Sequence, residues 1–284
     1  FTAPLPSSIH KPEVDYSLPL SLQKLFLAES FIQDSDEHFL QKLNNDIHFW
    51  KMMLRESDSV IAKMVASRAL YTAMQTLSDK FQGRQSVDDH IAALALAALA
   101  PLSDSERNIG EAFDHETLWF KDSCANMPWY INLFKQEEAT LNYYSQRFTE
   151  PMKKLAQLSA AEFSTKLSAC TIDNKSATFY CLTENPSPSF SLTRLYNIAG
   201  KQAADFSEFD THEYIARVHD VANRFELGKL QLELIKNGKI EAASVTENSP
   251  YKNLNTDKPF NLSADQSLIS FDCLSDSYEC KIAL

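Results

Sequence analysis

Apolar positions recur with a helical period over most of the chain and change to short alternating runs only near its end. Val60, Met64, Tyr71, Met74 and Phe81 are spaced 4, 7, 3 and 7 residues apart, the stripe that one face of an α-helix presents. Trp50, Met53, Leu54 and Ile61 widen that face, so the spacing predicts one long helix from about Asp46 to Phe81, stopped by Gly83. The Met-rich stripe reads as core, with a promiscuous binding groove as the functional alternative. Ahead of it, Pro19-Leu20-Ser21 opens a short apolar helix to about Glu29, and a second helix begins near Asp34 and runs into His48.

Val87 to Leu99 is an Ala/Leu helix ended by Pro101. Its apolar run, Ile91 to Ala100, is far short of the roughly 20 residues that span a bilayer and reads as a buried helix. Ser103-Asp-Ser-Glu106 and Ser159-Ala-Ala-Glu162 are capping boxes, each opening a helix. The first carries Phe113, Leu118 and Trp119; the second leads toward Cys170. Pro128 breaks the pattern between them. Lys135 to Leu158 is helical again, with Leu141, Tyr144, Phe148, Met152 and Leu155 near one face and a kink expected at Pro151. Residues 170–190 are polar and end in Asn185-Pro-Ser-Pro-Ser189, the composition of an exposed loop or small hairpin. Helices resume at Leu192–Ala204 and at Thr211–Asn237, the latter with Tyr214, Val218, Val221, Phe225, Leu232 and Ile235 facing inward. After residue 244, Asn, Asp, Ser and Pro dominate, and Leu268-Ile-Ser-Phe271 and Cys280-Lys-Ile-Ala-Leu284 read as strands of a terminal hairpin.

The predicted fold is mainly α: a multi-helix, bundle-like body with a small C-terminal disulfide-bearing β-hairpin. Its expected organisation is an extended linker over 1–18, a helical domain over 19–169, a disulfide loop over 170–190, and a helical plus hairpin subdomain over 191–284 packed on the first.

Charge and composition narrow the function classes. Acidic residues number 38 against 27 basic ones in 284 residues, a net charge of −11. Phosphate backbones and anionic membrane surfaces need a basic face, so nucleic acid is not an expected partner. The five glycines, Gly83, Gly110, Gly200, Gly228 and Gly238, lie far apart. A Walker A loop, a dinucleotide fingerprint and a G-x-S-x-G elbow are therefore absent, and no cofactor is expected.

Five cysteines occur. Cys170 and Cys181 bracket one polar stretch, and Cys273 and Cys280 bracket another, each pair as if closing a short loop by a disulfide. Zinc is the rival reading, but neither pair has C-x₂₋₄-C spacing and no histidine sits close by. Cys124 is left over as a buried thiol. Disulfides imply an oxidising compartment. The chain starts at Phe1, and Pro4, Pro6, Pro12 and Pro19 make its beginning extended. A spacer leaving a membrane has this character, so a tether through residues preceding Phe1 is expected, the alternative being an ordinary loose terminus.

Candidate chemistry is sparse. Glu111 and His115 are four apart on a predicted helix with Asp114 and Glu116 beside them, and His212 and His219 are seven apart with Glu213 and Asp220 adjacent. These are the first suspects for metal or acid–base work, but neither set forms H-E-x-x-H, and no metal site is assigned. Ser21-Leu-Gln-Lys24 matches S-x-x-K, yet the S-D-N and K-T-G elements that accompany it are missing. Asp88-Asp89 and Glu137-Glu138 read as helix-start charges, because adjacent helical side chains point apart.

The C-terminal third carries a resemblance. Gly200-Lys-Gln is followed by His212-Glu-Tyr-Ile-Ala-Arg-Val-His-Asp220, a helix, then Asn253-Leu-Asn-Thr-Asp-Lys-Pro-Phe260 and Leu268-Ile-Ser-Phe271. This resembles a group of uncharacterised, membrane-anchored envelope proteins of Gram-negative bacteria, which carry an Asn-Pro-Tyr-Thr-Gly-Lys-Pro-Phe-type segment before a terminal strand. Secretion pseudopilins hold a similar segment. Thr256, Lys258, Pro259 and Phe260 fit it, while Leu254, Asn255 and Asp257 depart from it; Asp257 stands in place of its glycine, and Asp can still occupy the left-handed turn position, though less readily. The resemblance covers roughly residues 195–272, with an echo in Trp50–Met64. It implies a helical periplasmic body, a membrane anchor and a hairpin-forming turn with no catalysis attached. The expected function is thus a non-catalytic binding or assembly role in the periplasm with an envelope protein as partner. The alternatives are a periplasmic hydrolase built from Glu111, His115, His212 and His219, and an immunity or inhibitor protein using an acidic surface.

Overall fold

The computed structural model describes residues 15–125, 136–170, 178, 181–183, 197, 199, 201, 211–237 and 242–284. Helices dominate it: α1 Ser17–Gln33, α2 Asp36–Glu56, α3 Val60–Phe81, α4 Asp89–Ala98, α5 Asp104–Arg107, α6 Ala112–Ala125, α7 Glu137–Tyr144, α8 Glu150–Ala156, α9 Ala160–Ala169, α10 His212–Asn237 and α11 Ala242–Asn248. A three-stranded antiparallel sheet closes the chain in the order β1 Asn261–Leu262, β2 Leu268–Ser270, β3 Lys281–Ala283. The mainly α body with a small disulfide-bearing β element is thus the observed fold. The β element differs from a simple hairpin by one strand, since β1 pairs with β2 through Asn261 opposite Ser270.

The long helix expected from Asp46 to Phe81 is two helices. The backbone turns extended at Ser57 and Ser59, and α3 restarts at Val60. Lys63, which is buried, folds back and donates to the Leu54 and Arg55 carbonyls at the end of α2, supplying the cation that a helix C-terminus favours. At the other end of the pair, Arg84 clasps Asp36 through two bonds of 2.6 and 2.9 Å. Gly83, with φ of +74°, ends α3 as expected.

Both capping boxes are present, at Ser103/Glu106 and Ser159/Glu162. The first caps only the single turn of α5; Phe113, Leu118 and Trp119 belong to the separate α6. The expected kink near Pro151 takes the form of a π-helical turn, Ser145–Thr149, between α7 and α8. Pro151 has no N–H to give and its ring crowds the preceding turn, and widening that turn relieves the clash. The Ala/Leu helix α4 buries Ala92, Ala95 and Ala98 but leaves Leu96 on the surface, so it is buried on one face only. Most of the 170–190 loop and of the Leu192–Ala204 helix lies outside the described residues.

Helix α10 is the centre of the molecule, with 18 of its 26 residues buried. One side, with Ile215, Val218, Val221, Phe225, Leu232 and Ile235, packs into the large core shared with α2, α3 and α6. The other side, with Leu227, Leu230 and Leu234, packs on Phe260, Ile269, Phe271 and Ile282 of the C-terminal segment. Gly228 lets α4 approach: a Cβ there would lie 2.8 Å from the Leu99 Cδ2.

Candidate functional site

Two features stand out against this scaffold. The first is a row of polar groups on the side of α10 that carries Leu227, Leu230 and Leu234. Asp220, Asn223, Arg224 and Gln231 are all buried, each 1% exposed or less. Buried polar groups need partners, and these find them on the C-terminal segment. The Asp220 carboxylate accepts from the Leu274 and Ser275 N–H groups, both at 2.9 Å. Asn223 accepts from the Leu254 N–H at 2.6 Å and donates to Asn255 at 2.7 Å. Arg224 donates to the Glu279 and Lys281 carbonyls and to Gln75 of α3. Gln231 donates to the Ser78 and Ala283 carbonyls, each at 3.1 Å.

The segment so held contains the turn predicted from Asn253 to Phe260. Asp257 adopts φ of +61°, its N–H donating to the Asn253 carbonyl at 2.8 Å while Asn253 donates to the Lys258 carbonyl at 2.9 Å. It also contains the Cys273–Cys280 disulfide; Cys170–Cys181 is formed as well, and Cys124 is buried outside any disulfide. The Cys273–Cys280 loop lies on α3 through stacked Tyr71 and Tyr278 rings 4.4 Å apart. Tyr71, expected as a core residue of the α3 stripe, is therefore a docking residue: its hydroxyl donates to the Glu279 carbonyl and accepts from the Glu279 N–H, both at 3.1 Å.

Around this disulfide the chemistry concentrates. The Asp220 carboxylate and both sulfurs lie within 4.8 Å of one another, with Asp220 and Cys280 buried and Cys273 exposed. Burial pushes the Asp220 carboxyl up to about 7, against the lowering pull of its two backbone donors, with Glu213 adding to the rise. Beside it, His219 is 3% exposed, its ring tilted against Phe163 and neither nitrogen bonded. Burial, aided by the Arg107 charge, drives it down to about 4. An open cleft of about 350 Å³ adjoins the disulfide, lined by Ser164, Leu167, Ser168, Asn255, Thr256, Asp272, Cys273 and Leu274. As a disulfide, the sulfurs offer a metal no thiolate, so this arrangement does not serve the zinc alternative.

The second feature is α1, which turns its apolar residues outward. Its buried side is Gln23, Leu27 and Ser30. Leu18, Leu22, Leu25 and Ile32 are 59, 56, 68 and 80% exposed. At about 100° per residue these four fall within an arc of roughly 80°, opposite the buried side. Gln23 anchors the helix by donating to Asp46 at 2.7 Å and to the Ala69 carbonyl at 3.1 Å.

The histidine suspects do not converge. His115 lies 3.8 Å from Asp58, Asp114 pairs with Lys153, and Glu111 is exposed in the turn before α6. His212 and His219 are both buried on α10, separated by about 10 Å of helix rise. Among the described residues, the only group of three or more His, Cys, Asp or Glu close enough for a metal is Asp220 with the two disulfide cysteines. Ser21 and Lys24 of the S-x-x-K match are exposed on α1. Asp88 caps α4, and Asp89 and Glu137-Glu138 sit in first turns, as helix-start charges do. The Asp220 cluster escaped sequence reasoning because its partners are backbone groups some 30 to 60 residues away; on α1 the spacing of Leu18, Leu22, Leu25 and Ile32 marks an apolar stripe but not that it faces outward.

No helix of the described residues is long and apolar enough to cross a membrane. No protein-family model matches the chain, and comparison with curated proteins and with solved structures finds no similar protein.

Proposed function

We propose that the protein is a binding or assembly protein of the cell envelope that receives an apolar partner helix on the outward face of α1. The observation that carries this reading is the exposure of Leu18, Leu22, Leu25 and Ile32 on one stripe. Isolated apolar residues on a surface are ordinary, but a contiguous helical stripe marks an interaction face, and its spacing is that of helix-in-groove anchors. Two disulfides support an oxidising compartment. The Asn253–Phe260 resemblance supports the periplasm.

A photo-crosslinking amino acid placed at Leu22 or Ile32, and at Gln157 as an exposed control away from the stripe, tests it in intact envelopes. One discrete adduct is expected from positions 22 and 32 and none from 157. The combined change Leu18→Glu, Leu22→Glu and Leu25→Glu should abolish the adduct formed from position 32 without unfolding the chain. Identical adduct patterns at all three positions, or an adduct from position 32 unaffected by the triple change, would overturn the reading.

A further inference from the structure

We propose that Cys273–Cys280 is a thiol–disulfide exchange site that oxidises a dithiol segment of a polypeptide lying in the adjoining cleft, with Asp220 as its proton donor. The arrangement is asymmetric in the way exchange requires. Cys273 is exposed at the cleft wall and Cys280 is buried, so an incoming thiolate can reach only one sulfur, and the other must leave. A leaving thiolate in a buried place needs a proton. The carboxyl within 4.8 Å of both sulfurs is Asp220, fixed by the Leu274 and Ser275 N–H groups of the very loop that the disulfide closes.

The steps balance as follows. A substrate thiolate attacks Cys273 Sγ; a new S–S bond forms to Cys273, the Cys273–Cys280 bond breaks, and its electron pair leaves on Cys280 Sγ. That sulfur takes the proton of the Asp220 carboxyl, and the resulting carboxylate keeps its two backbone donors. The second substrate thiol, as thiolate, attacks the substrate sulfur of the mixed disulfide and releases Cys273 as a thiolate, which solvent protonates. The substrate dithiol loses two electrons and two protons, the cysteine pair gains two electrons, and Asp220 recovers its proton from water. The cleft supplies Ser164, Ser168, Asn255 and Thr256 as hydrogen-bonding groups beside Leu167 and Leu274, a mixture suited to an extended peptide backbone. The charged and titratable groups around the site are Glu213, Arg217, Arg68, Tyr278, Asp272 and Glu279. Tyr278 is itself held up by burial.

The test uses the full oxidised chain, with dithiothreitol as the dithiol and glutathione as the monothiol, alkylation quenching and peptide mass spectrometry. In Cys280→Ser, glutathione disulfide should form its mixed disulfide on Cys273 readily. In Cys273→Ser, the remaining Cys280 should resist it. Asp220→Asn should slow reduction of Cys273–Cys280 by about tenfold or more near pH 6, the gap closing above pH 8, while reduction of Cys170–Cys181 in the same molecule stays unchanged. The wild-type chain gives the same answer without a variant. Its rate per unit of attacking thiolate should fall as pH rises through neutrality, because the proton donor is lost. A flat thiolate-normalised profile, an unchanged rate in folded Asp220→Asn, or equal reactivity of the two cysteines would overturn the assignment.

Discussion

Helices α1 and α10 both break the rule that polar residues face water and apolar ones face the core, and they break it in opposite senses. On α10, a carboxylate, an amide, a guanidinium and a second amide are buried together. On α1, three leucines and an isoleucine are more than half exposed while Gln23 and Ser30 are buried. On the proposed reading, the difference lies in whether the partner belongs to the same chain. The polar side of α10 is already occupied by residues 253–283, which hydrogen-bond Asp220, Asn223, Arg224 and Gln231. The apolar stripe of α1 has no such cover among the described residues. Buried polarity reports a contact made on folding, whereas exposed apolar area reports one left for a later event.

The largest effect should come from breaking the α10 side. Arg224→Ala removes the donor of the Glu279 and Lys281 carbonyls and the link to Gln75, and leaves a cavity where a fully buried side chain was. Orphaned acceptors and lost packing together cost about 3–5 kcal/mol. Urea unfolding should show this loss. Proteolysis should show the C-terminal segment released first, because Arg224 and the Tyr71–Tyr278 stack are among its ties to α10 and α3. A loss below about 1 kcal/mol would mean that the polar row is incidental to docking.

The next effect is a pair of opposing pH dependences on neighbouring residues. Asp220 holds its proton up to about 7, against an ordinary value of 3.8. Between those limits the unfolded chain has ionised and the native one has not, so this group makes stability fall as pH rises from about 4 to 7. His219 is neutral in the native state down to about 4, against an ordinary 6.5. The unfolded chain gains a proton there first, so this group makes stability rise with pH over nearly the same window. The arms are on the order of 4 kcal/mol for Asp220 and 3 kcal/mol for His219, and in the wild type they largely cancel. Asp220→Asn should therefore make stability climb between pH 4.5 and 6.5, and His219→Leu should make it decline, relative to wild type in urea titrations. Parallel curves for all three proteins would show that neither group is buried as described.

Much of this architecture was legible because it is local. The capping boxes at Ser103 and Ser159 and the stop at Gly83 depend on residues within a few positions of each other. The left-handed Asp257 was legible for the same reason. The break at Ser57–Ser59 was hidden because the apolar period of α2 runs on into α3, and the Lys63 cap that ends α2 comes from beyond the break. The third strand was missed because Asn261–Leu262 is too short to alternate. The partners of the polar row of α10 lie far along the chain, so no local pattern marks it as buried; the one signal is Leu227, Leu230 and Leu234 on the same side. α1 carries apolar residues on two faces, Leu20, Leu27 and Phe31 as well as the outward four. Periodicity alone cannot choose between them, and the choice rests on Gln23 finding Asp46 and the Ala69 carbonyl.

The smallest expected change is the most direct test of the contrast, because it is made within a single turn of α1. Leu22 and Leu25 flank Gln23 in the sequence but face away from it. Leu22→Ser and Leu25→Ser remove apolar area that folding does not bury, so each should shift stability by less than about 0.5 kcal/mol. Binding of a hydrophobic dye by the folded chain should fall with each. Gln23→Ala, between them, removes the donor to Asp46, whose carboxyl burial already holds above its usual range, and should cost about 1–3 kcal/mol. In this helix the polar residue stabilises the fold and the leucines beside it do not, which is the order to expect of a face kept for another molecule. If the serine variants instead proved as costly as Gln23→Ala, the stripe would be part of the chain's own core and the partner helix would have nowhere to bind.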